Sequence, residues 1–134
     1  MATHLTTSSC SLEFMADAVT EQVRLMGVCS VDPIGRALNI SRPYNKFSSP
    51  VGCHGLARWT PDRLDILAIS SRKEGVGQLR KFIAEAQKHW PTICVWFISN
   101  EVLDAALKRY GFFRQIELAG NGEVLDGLRW DKVP

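Results

Sequence analysis

The amino-acid sequence predicts a single mixed α/β domain spanning residues 1–134. Helical and strand-like hydrophobic periods alternate along the chain, and short apolar runs are rich in β-branched residues. Gly or Pro also marks most of the junctions between these segments. At 134 residues, the chain is long enough to bury a core without disulfide bonds or a structural metal.

Composition excludes several functional classes. The formal net charge of +2 is small and the basic residues are dispersed, so nucleic acid is not indicated as a partner. No apolar run is long enough to span a membrane, and residues 1–11 lack the features of a signal peptide, so we expect a cytoplasmic protein. The four cysteines form no Cys-x-x-Cys pair, and no metal site is predicted.

The first part of the chain is weakly patterned. Apolar residues recur at helical spacing between residues 11 and 27, which predicts one helix that Gly27 ends. Residues 28–50 contain several Pro and Gly residues and predict a loop with at most one short helix or strand.

The middle of the chain predicts a hairpin followed by a helix. Residues 55–60 and 64–70 have strand character and flank a tight turn at Pro61 and Asp62. An apolar stripe from Val76 to Trp90 then predicts a helix, which Pro91 prevents from continuing.

The last part predicts a buried strand, a helix and a second hairpin. Residues 92–98 form a continuous apolar run, as expected of a strand buried on both faces. Residues 100–110 have helical spacing and end at Gly111. Residues 112–118 and 124–130 are predicted strands joined by a turn at 120–122.

The junction between the strand at 64–70 and the following helix is the most informative segment. Gly75 and Gly77 can adopt positive φ and leave their amides uncovered, and free N–H groups at a helix start bind phosphate oxygens. Arg72 and Lys73 add positive charge nearby. The residues alone leave two interpretations open: a phosphate-binding turn, or a tight turn whose glycines only permit the bend.

Two segments resemble one family. Arg72-x-x-Gly75-x-Gly77 is similar to the Gln/Arg-x-x-Gly-x-Gly/Ala motif of the GNAT superfamily of acetyltransferases. Asn100, eleven residues before Gly111, opens a segment that resembles the family's Asn-containing helix before a Gly-Phe pair. The resemblance covers about residues 52–130, whereas the glycine patterns of Rossmann and Walker A sites are not present.

This resemblance implies a GNAT-like mixed central sheet with helices on both faces and acetyl-CoA as cosubstrate. In such a fold the pantetheine arm lies in a gap beside the first of two diverging strands, and backbone N–H groups there polarise the thioester carbonyl. The residues implied in cofactor binding are Leu67, Ala68, Ile69, Arg72, Lys73, Glu74, Gly75, Val76, Gly77, Gln78 and Asn100.

The implied activity is transfer of an acetyl group to the amine of a small molecule or protein by direct attack. The sequence departs from the family's pattern at Leu107, because the family usually has a tyrosine there as its general acid. Tyr110 is the candidate replacement, with core packing as its other role. The candidate bases are Asp65, which faces either the cleft or solvent, and Glu74 beside the glycine turn. A CoA-binding regulatory or interaction module without efficient catalysis is the alternative function, and a homodimer is left open.

Adjacent Cys53 and His54 suggest a thiol–imidazole pair, but neighbouring residues of a strand point to opposite faces. We therefore expect them not to act together.

Overall fold

One mixed β-sheet organises the chain in a computed structural model that describes residues 20–27, 44–73 and 75–134. Within these ranges the strands are β1 (Asn45–Ser48), β2 (Cys53–Thr60), β3 (Arg63–Ser71), β4 (Thr92–Trp96), β5 (Phe113–Leu118) and β6 (Val124–Asp131). The described helices are α1 (20–26), α2 (Gln78–His89) and α3 (Glu101–Arg109). The predicted mixed α/β class is confirmed.

The sheet has the strand order β1-β2-β3-β4-β6-β5 over the described residues. β3 and β4 pair in parallel through the crossover helix α2, and the other neighbours pair antiparallel. β2 and β3 form the predicted hairpin with Pro61 and Asp62 in its turn. β5 and β6 form the second predicted hairpin.

The helix boundaries follow the local signals in the sequence. α2 begins after Gly77 and ends at Trp90, directly before Pro91. Asn100 caps α3: its side-chain oxygen accepts hydrogen bonds from the N–H groups of Val102 at 2.8 Å and Leu103 at 3.2 Å.

β1 lies within the segment for which the sequence predicted a loop with at most one short element. It pairs with β2 at one edge of the sheet, and its buried Phe47 stacks on Phe82 of α2 at 5.6 Å between ring centroids. Of the helix predicted for residues 11–27, the structure describes only 20–27, where helix α1 runs to 26 before Gly27.

The core lies on one face of the sheet. Alternate strand residues such as Leu64 and Ile66 pack there against Met26, Phe82 and Leu107 from the three described helices. We expected helices on both faces. Among the described residues the second face carries no helix, and residues 1–19 and 28–43 lie outside the described part.

β4 is buried on both faces, as its continuous apolar run predicted. Ile93 and Val95 belong to the helix-side core, whereas Cys94 and Trp96 point to the second face, and none of the four is more than 2% exposed. The strand therefore lies in the interior of the sheet, between β3 and β6.

Candidate functional site

β3 and β4 separate partway along their length. Their parallel pairing runs only from Leu64 opposite Ile93 to Ile66 opposite Val95, although β3 continues to Ser71. The polar groups of a strand alternate between its two edges, so half of those beyond Ile66 point to the side that β4 has left. This divergence is the one that the resemblance led us to expect of the two strands.

A β-bulge bends β3 where the separation begins. Ala57 of β2 lies opposite Ile66, but the preceding Leu56 lies opposite Ala68, so Leu67 is an extra residue on β3. An extra residue disrupts the ladder locally and increases the twist of its strand. The bulge directly follows Ile66, the last residue of β3 that pairs with β4.

Phe97 turns the chain on the other side of the gap. It directly follows β4 and adopts φ 55°, in the left-handed region that is unfavourable for a residue with a side chain by about 1–2 kcal/mol. Its N–H still donates to the carbonyl of Asp126 at 2.8 Å, so this end of β4 stays with β6. Backbone strain of this kind clusters at functional sites.

The two strands and the starts of α2 and α3 enclose a cleft of about 720 Å³. Its lining residues are mainly apolar, and three serines and Asn100 add hydroxyl and amide groups. The lining residues are Leu67, Ala68, Ile69, Ser70, Ser71, Gly75, Leu79, Val95, Trp96, Phe97, Ile98, Ser99, Asn100, Val102 and Leu103. Five residues from the predicted cofactor set are thus brought together: Leu67, Ala68, Ile69, Gly75 and Asn100.

The glycine turn at the mouth of the cleft has the predicted backbone. Gly75 has φ 80° and Gly77 has φ 75°, and a Cβ built on either would meet no heavy atom within 4 Å. Gly77 is the N-cap of α2, and no side chain caps the helix there within the described residues. The first N–H groups of α2 are therefore open to an external acceptor.

The first turn of α2 has the charge that an anion prefers. It contains no acidic residue, and Arg80 and Lys81 follow within its first four positions. Cations at a helix N-terminus oppose the helix dipole, which favours negative charge at that end. A bound anion would be stabilised by the dipole and by these cations together.

Arg72, Lys73 and Gln78 brace the turn and do not line the cleft. The Arg72 guanidinium donates to the hydroxyl of Ser48 on β1, and the backbone N–H of Arg72 donates to the carbonyl of Gly52 at 2.7 Å. The side-chain oxygen of Gln78 accepts from the Lys73 N–H at 2.8 Å. Val76 is exposed at the turn surface, and the predicted Glu74 lies outside the described residues.

Asp65 lies on the second face of the sheet, away from the cleft. Its carboxylate accepts from the indole N–H of Trp96 at 2.9 Å and pairs with Arg63 at 3.0 Å. Arg63 also reaches Glu117 at 2.9 Å, and Arg129 lies 3.7 Å from the same carboxylate. Asp65 therefore faces neither the cleft nor free solvent, the two orientations weighed from the sequence.

Tyr110 lies at the C-cap of α3 and packs against the core, and it does not line the cleft. Leu107, at the position of the family's acid, is fully buried in that core. Among the described residues that line the cleft, none carries a carboxylate, imidazole, thiol, phenol or amine. Neither Asp65 nor Tyr110 is therefore brought to the cleft, and the other candidate base, Glu74, lies outside the described residues.

Sequence reasoning missed Phe97 and the hydroxyl residues Ser70, Ser71 and Ser99 as part of the site. The serines end one strand and precede a helix, which is a usual place for small polar residues and carries no separate signal. Phe97 has no signal in sequence either, because its left-handed backbone arises from tertiary packing.

The adjacent Cys53 and His54 point to opposite faces of β2, as expected. Cys53 is fully buried, and burial raises the pKa of its thiol, whereas His54 is exposed. These two side chains do not form a nucleophilic pair.

No group of three or more His, Cys, Asp or Glu side chains in the described ranges could hold a metal ion. In the same ranges, the helices are too short or too polar to cross a membrane.

Comparison with known proteins leaves the family of the chain open. It matches no protein-family model, no curated protein and no solved structure.

Proposed function

We propose that the protein binds acetyl-CoA in the cleft between β3 and β4 and transfers the acetyl group to an amine. The observation that carries this proposal is the free edge of β3, which runs from the bulge at Leu67 to the glycine turn before α2. One surface thus offers main-chain groups for an extended arm and open helix amides for a phosphate.

The shape of the cleft supports an elongated ligand. The pantetheine arm carries two amide groups, which can pair with a strand edge as another strand does. The remaining wall, from Val95 and Trp96 to Leu103, is apolar and suits the methylene parts of the arm. The pyrophosphate then lies at Gly75 and Gly77, where the amides and the positive charge of α2 meet.

The bulge supplies the acyl-transfer chemistry in this proposal. At a bulge the extra residue leaves its N–H outside the ladder, so a backbone donor near Leu67 can point at the thioester carbonyl. Such a fixed donor stabilises the oxyanion of the tetrahedral intermediate. The neutral amine attacks the carbonyl carbon and forms the C–N bond, and the C–S bond then breaks. The CoA thiolate takes up, directly or through solvent, the proton that the former amine nitrogen loses.

The second candidate is a CoA-binding module with slow or no transfer. It is favoured by the positions of Asp65 and Tyr110 outside the cleft and by the burial of Leu107. Loss of a general acid or base lowers an acyl-transfer rate by about 10²–10⁴-fold. Binding and turnover must therefore be measured separately.

Calorimetric titration with CoA tests the cofactor half of the proposal. We expect saturable binding to the wild-type chain and binding at least about tenfold weaker for Gly75→Ala and Gly77→Ala, equivalent to about 1.4 kcal/mol. A Cβ at these positions meets open space in the free protein, so it acts by straining the left-handed backbone and by covering the amides.

Gly122→Ala is the matched control. Gly122 has φ 88° and equally open surroundings, but it lies in the turn between β5 and β6. Equal loss of affinity in all three variants, or no CoA binding by the wild-type chain, would contradict the proposal. If CoA binds, release of free thiol from acetyl-CoA with a panel of amines separates the transferase from the binding module.

A further inference from the structure

The outer edge of β5 is a second surface with unused binding capacity. β5 is the last strand of the sheet, so within the described residues only its inner edge has a strand partner. Its register with β6 is uninterrupted from Phe113 opposite Arg129 to Leu118 opposite Val124. A straight edge strand without Pro or a bulge is a template for another strand.

Two hydrogen bonds show which groups face this edge. The Ala119 N–H donates to the Glu123 carbonyl at 2.8 Å, and bonded and non-bonded pairs alternate along an antiparallel ladder. Ile116 and its β6 partner Asp126 are therefore a non-bonded pair. The hydrogen bond from the Phe97 N–H to the Asp126 carbonyl supports this assignment, because it shows that the backbone groups of Asp126 point toward β4 and not toward β5. It follows that the N–H and C=O groups of Ile116, and of the residues two before and two after it, point outward.

The same hairpin exposes apolar side chains. Ile116 is 56% exposed, Leu118 75% and Val124 57%, and all three lie on the helix side of the hairpin. Charged side chains on an edge strand can prevent pairing with another strand. Both charged residues of β5 form ion pairs within the chain: Glu117 with Arg63 at 2.9 Å and Arg114 with Asp126 at 3.2 Å. The edge therefore combines unpaired backbone groups with exposed apolar surface.

We propose that the occupant is a second copy of this chain, with the two β5 strands paired antiparallel about a two-fold axis at Ile116. This register places Ile116 opposite Ile116 of the second copy and Leu118 opposite the aliphatic stem of Arg114. On the other face Gln115, whose amide donates to Glu117 of its own strand at 3.2 Å, lies opposite Glu117 of the second copy. No two like charges lie directly opposite each other.

Self-complementarity is the reason to prefer this occupant. An isologous interface is formed by the same surface on both copies, so the residues of β5 must be complementary to those of β5 after a two-fold rotation. They are complementary when the axis passes through Ile116. An axis at Gln115 would set Glu117 opposite the aromatic ring of Phe113 and leave Leu118 beyond the paired strands. The small net charge of +2 also opposes association of two copies only weakly.

Sedimentation velocity over a range of protein concentrations tests the proposal. We expect a monomer–dimer equilibrium for the wild-type chain and a dissociation constant raised at least about tenfold in Ile116→Lys, because two like charges would then lie directly opposite. Val133→Lys is the control, since Val133 is 83% exposed and lies after β6. Leu118→Lys is a second edge variant should Ile116→Lys lose the circular-dichroism signal of the folded sheet.

Cross-linking tests the register itself. Ile116→Cys in a chain with Cys10→Ser and Cys29→Ser should give a covalent dimer with a short thiol-specific bifunctional reagent, whereas Val133→Cys in the same background should not. A wild-type chain that stays monomeric, as it would if part of its own chain covers the edge, overturns the proposal. A dimer that both edge lysines leave intact, or equal cross-linking at Ile116 and Val133, overturns it as well.

Discussion

Replacing Arg63 by Met removes the cation that joins two carboxylates on the face of the sheet opposite the helices. Arg63 pairs with Asp65 at 3.0 Å and Glu117 at 2.9 Å, and its guanidinium lies 5.8 Å from the ring centre of Trp96. Met keeps most of the aliphatic stem, so the change tests the charge more than the packing.

The expected loss of stability follows from the burial of the three side chains. Removing one partner of a fully buried pair destabilises by about 3–5 kcal/mol. The side chains of Arg63, Asp65 and Glu117 are 32%, 14% and 24% exposed, so we scale this to about 2–3 kcal/mol at pH 7. For a domain of this size the thermal midpoint should fall by about 6–10 °C.

The loss should shrink in acid. Burial raises the pKa of Glu117, but the hydrogen bond and charge of Arg63 more than offset it and hold the pKa below its ordinary value. A lowered pKa stabilises the fold above the unfolded value of about 4.3, and this contribution is lost as the pH falls through the folded value. The difference between wild type and Arg63→Met should therefore become smaller as the pH falls below the unfolded value.

Urea unfolding followed by circular dichroism at pH 7, 5 and 3 measures this difference. Arg114→Met is the matched control, because the Arg114–Asp126 pair is 71% and 53% exposed and should contribute less than about 1 kcal/mol. If Arg63→Met loses no more free energy of unfolding than Arg114→Met at pH 7, the buried ion pairs do not stabilise the fold as expected. A loss that is the same at all three pH values would contradict the part assigned to Glu117.

Three further outcomes are expected. Gly127→Ala should destabilise by about 2–4 kcal/mol in urea unfolding, because its Cβ would lie 2.1 Å from a carbonyl oxygen of β4, whereas Gly120→Ala meets open space and should be near neutral. Cys53 and Cys94 should resist a thiol reagent at pH 8 in the native protein and react on unfolding, since both are buried and burial raises the pKa of Cys94 to about 12. Mass spectrometry of the two cysteine-containing peptides measures the labelling. Rapid labelling of the native protein would contradict the burial of the two thiols. Asn100→Ala should lower the free energy of unfolding by about 1 kcal/mol through loss of the α3 cap, and an unchanged value would show that the cap contributes nothing.

Most element boundaries were predictable because they depend on neighbours in sequence. Pro91 cannot continue α2, Asn100 caps the amides two and three residues ahead, and Gly111 with φ 95° ends α3. The hairpin turns and the buried run of β4 were predictable for the same reason: each is defined within a few residues. β1 was harder, since a four-residue strand at a sheet edge has little periodicity of its own.

The candidate site divides in the same way. The left-handed Gly75 and Gly77 before α2 were predicted, because glycine at a strand-to-helix junction is a local signal. The places of Asp65 and Tyr110 were not. Alternation along β3 puts Asp65 on one of two faces. Only the bond between Arg63 and Glu117, which are fifty-four residues apart in the chain, shows that this face carries an ion-pair network.

By itself, then, the sequence determined the order of helices and strands and the glycine turn at the start of α2, since periodicity, caps and turns act over a few residues. Only the tertiary structure decided that β3 and β4 part after Ile66, because the extra residue at Leu67 is defined against β2 and the left-handed Phe97 is held by β6. The cleft is the product of these two long-range constraints. The strand edge beside the cleft depends on residues far apart in the chain and has no signal in the sequence, whereas the glycine turn depends on neighbouring residues and has one.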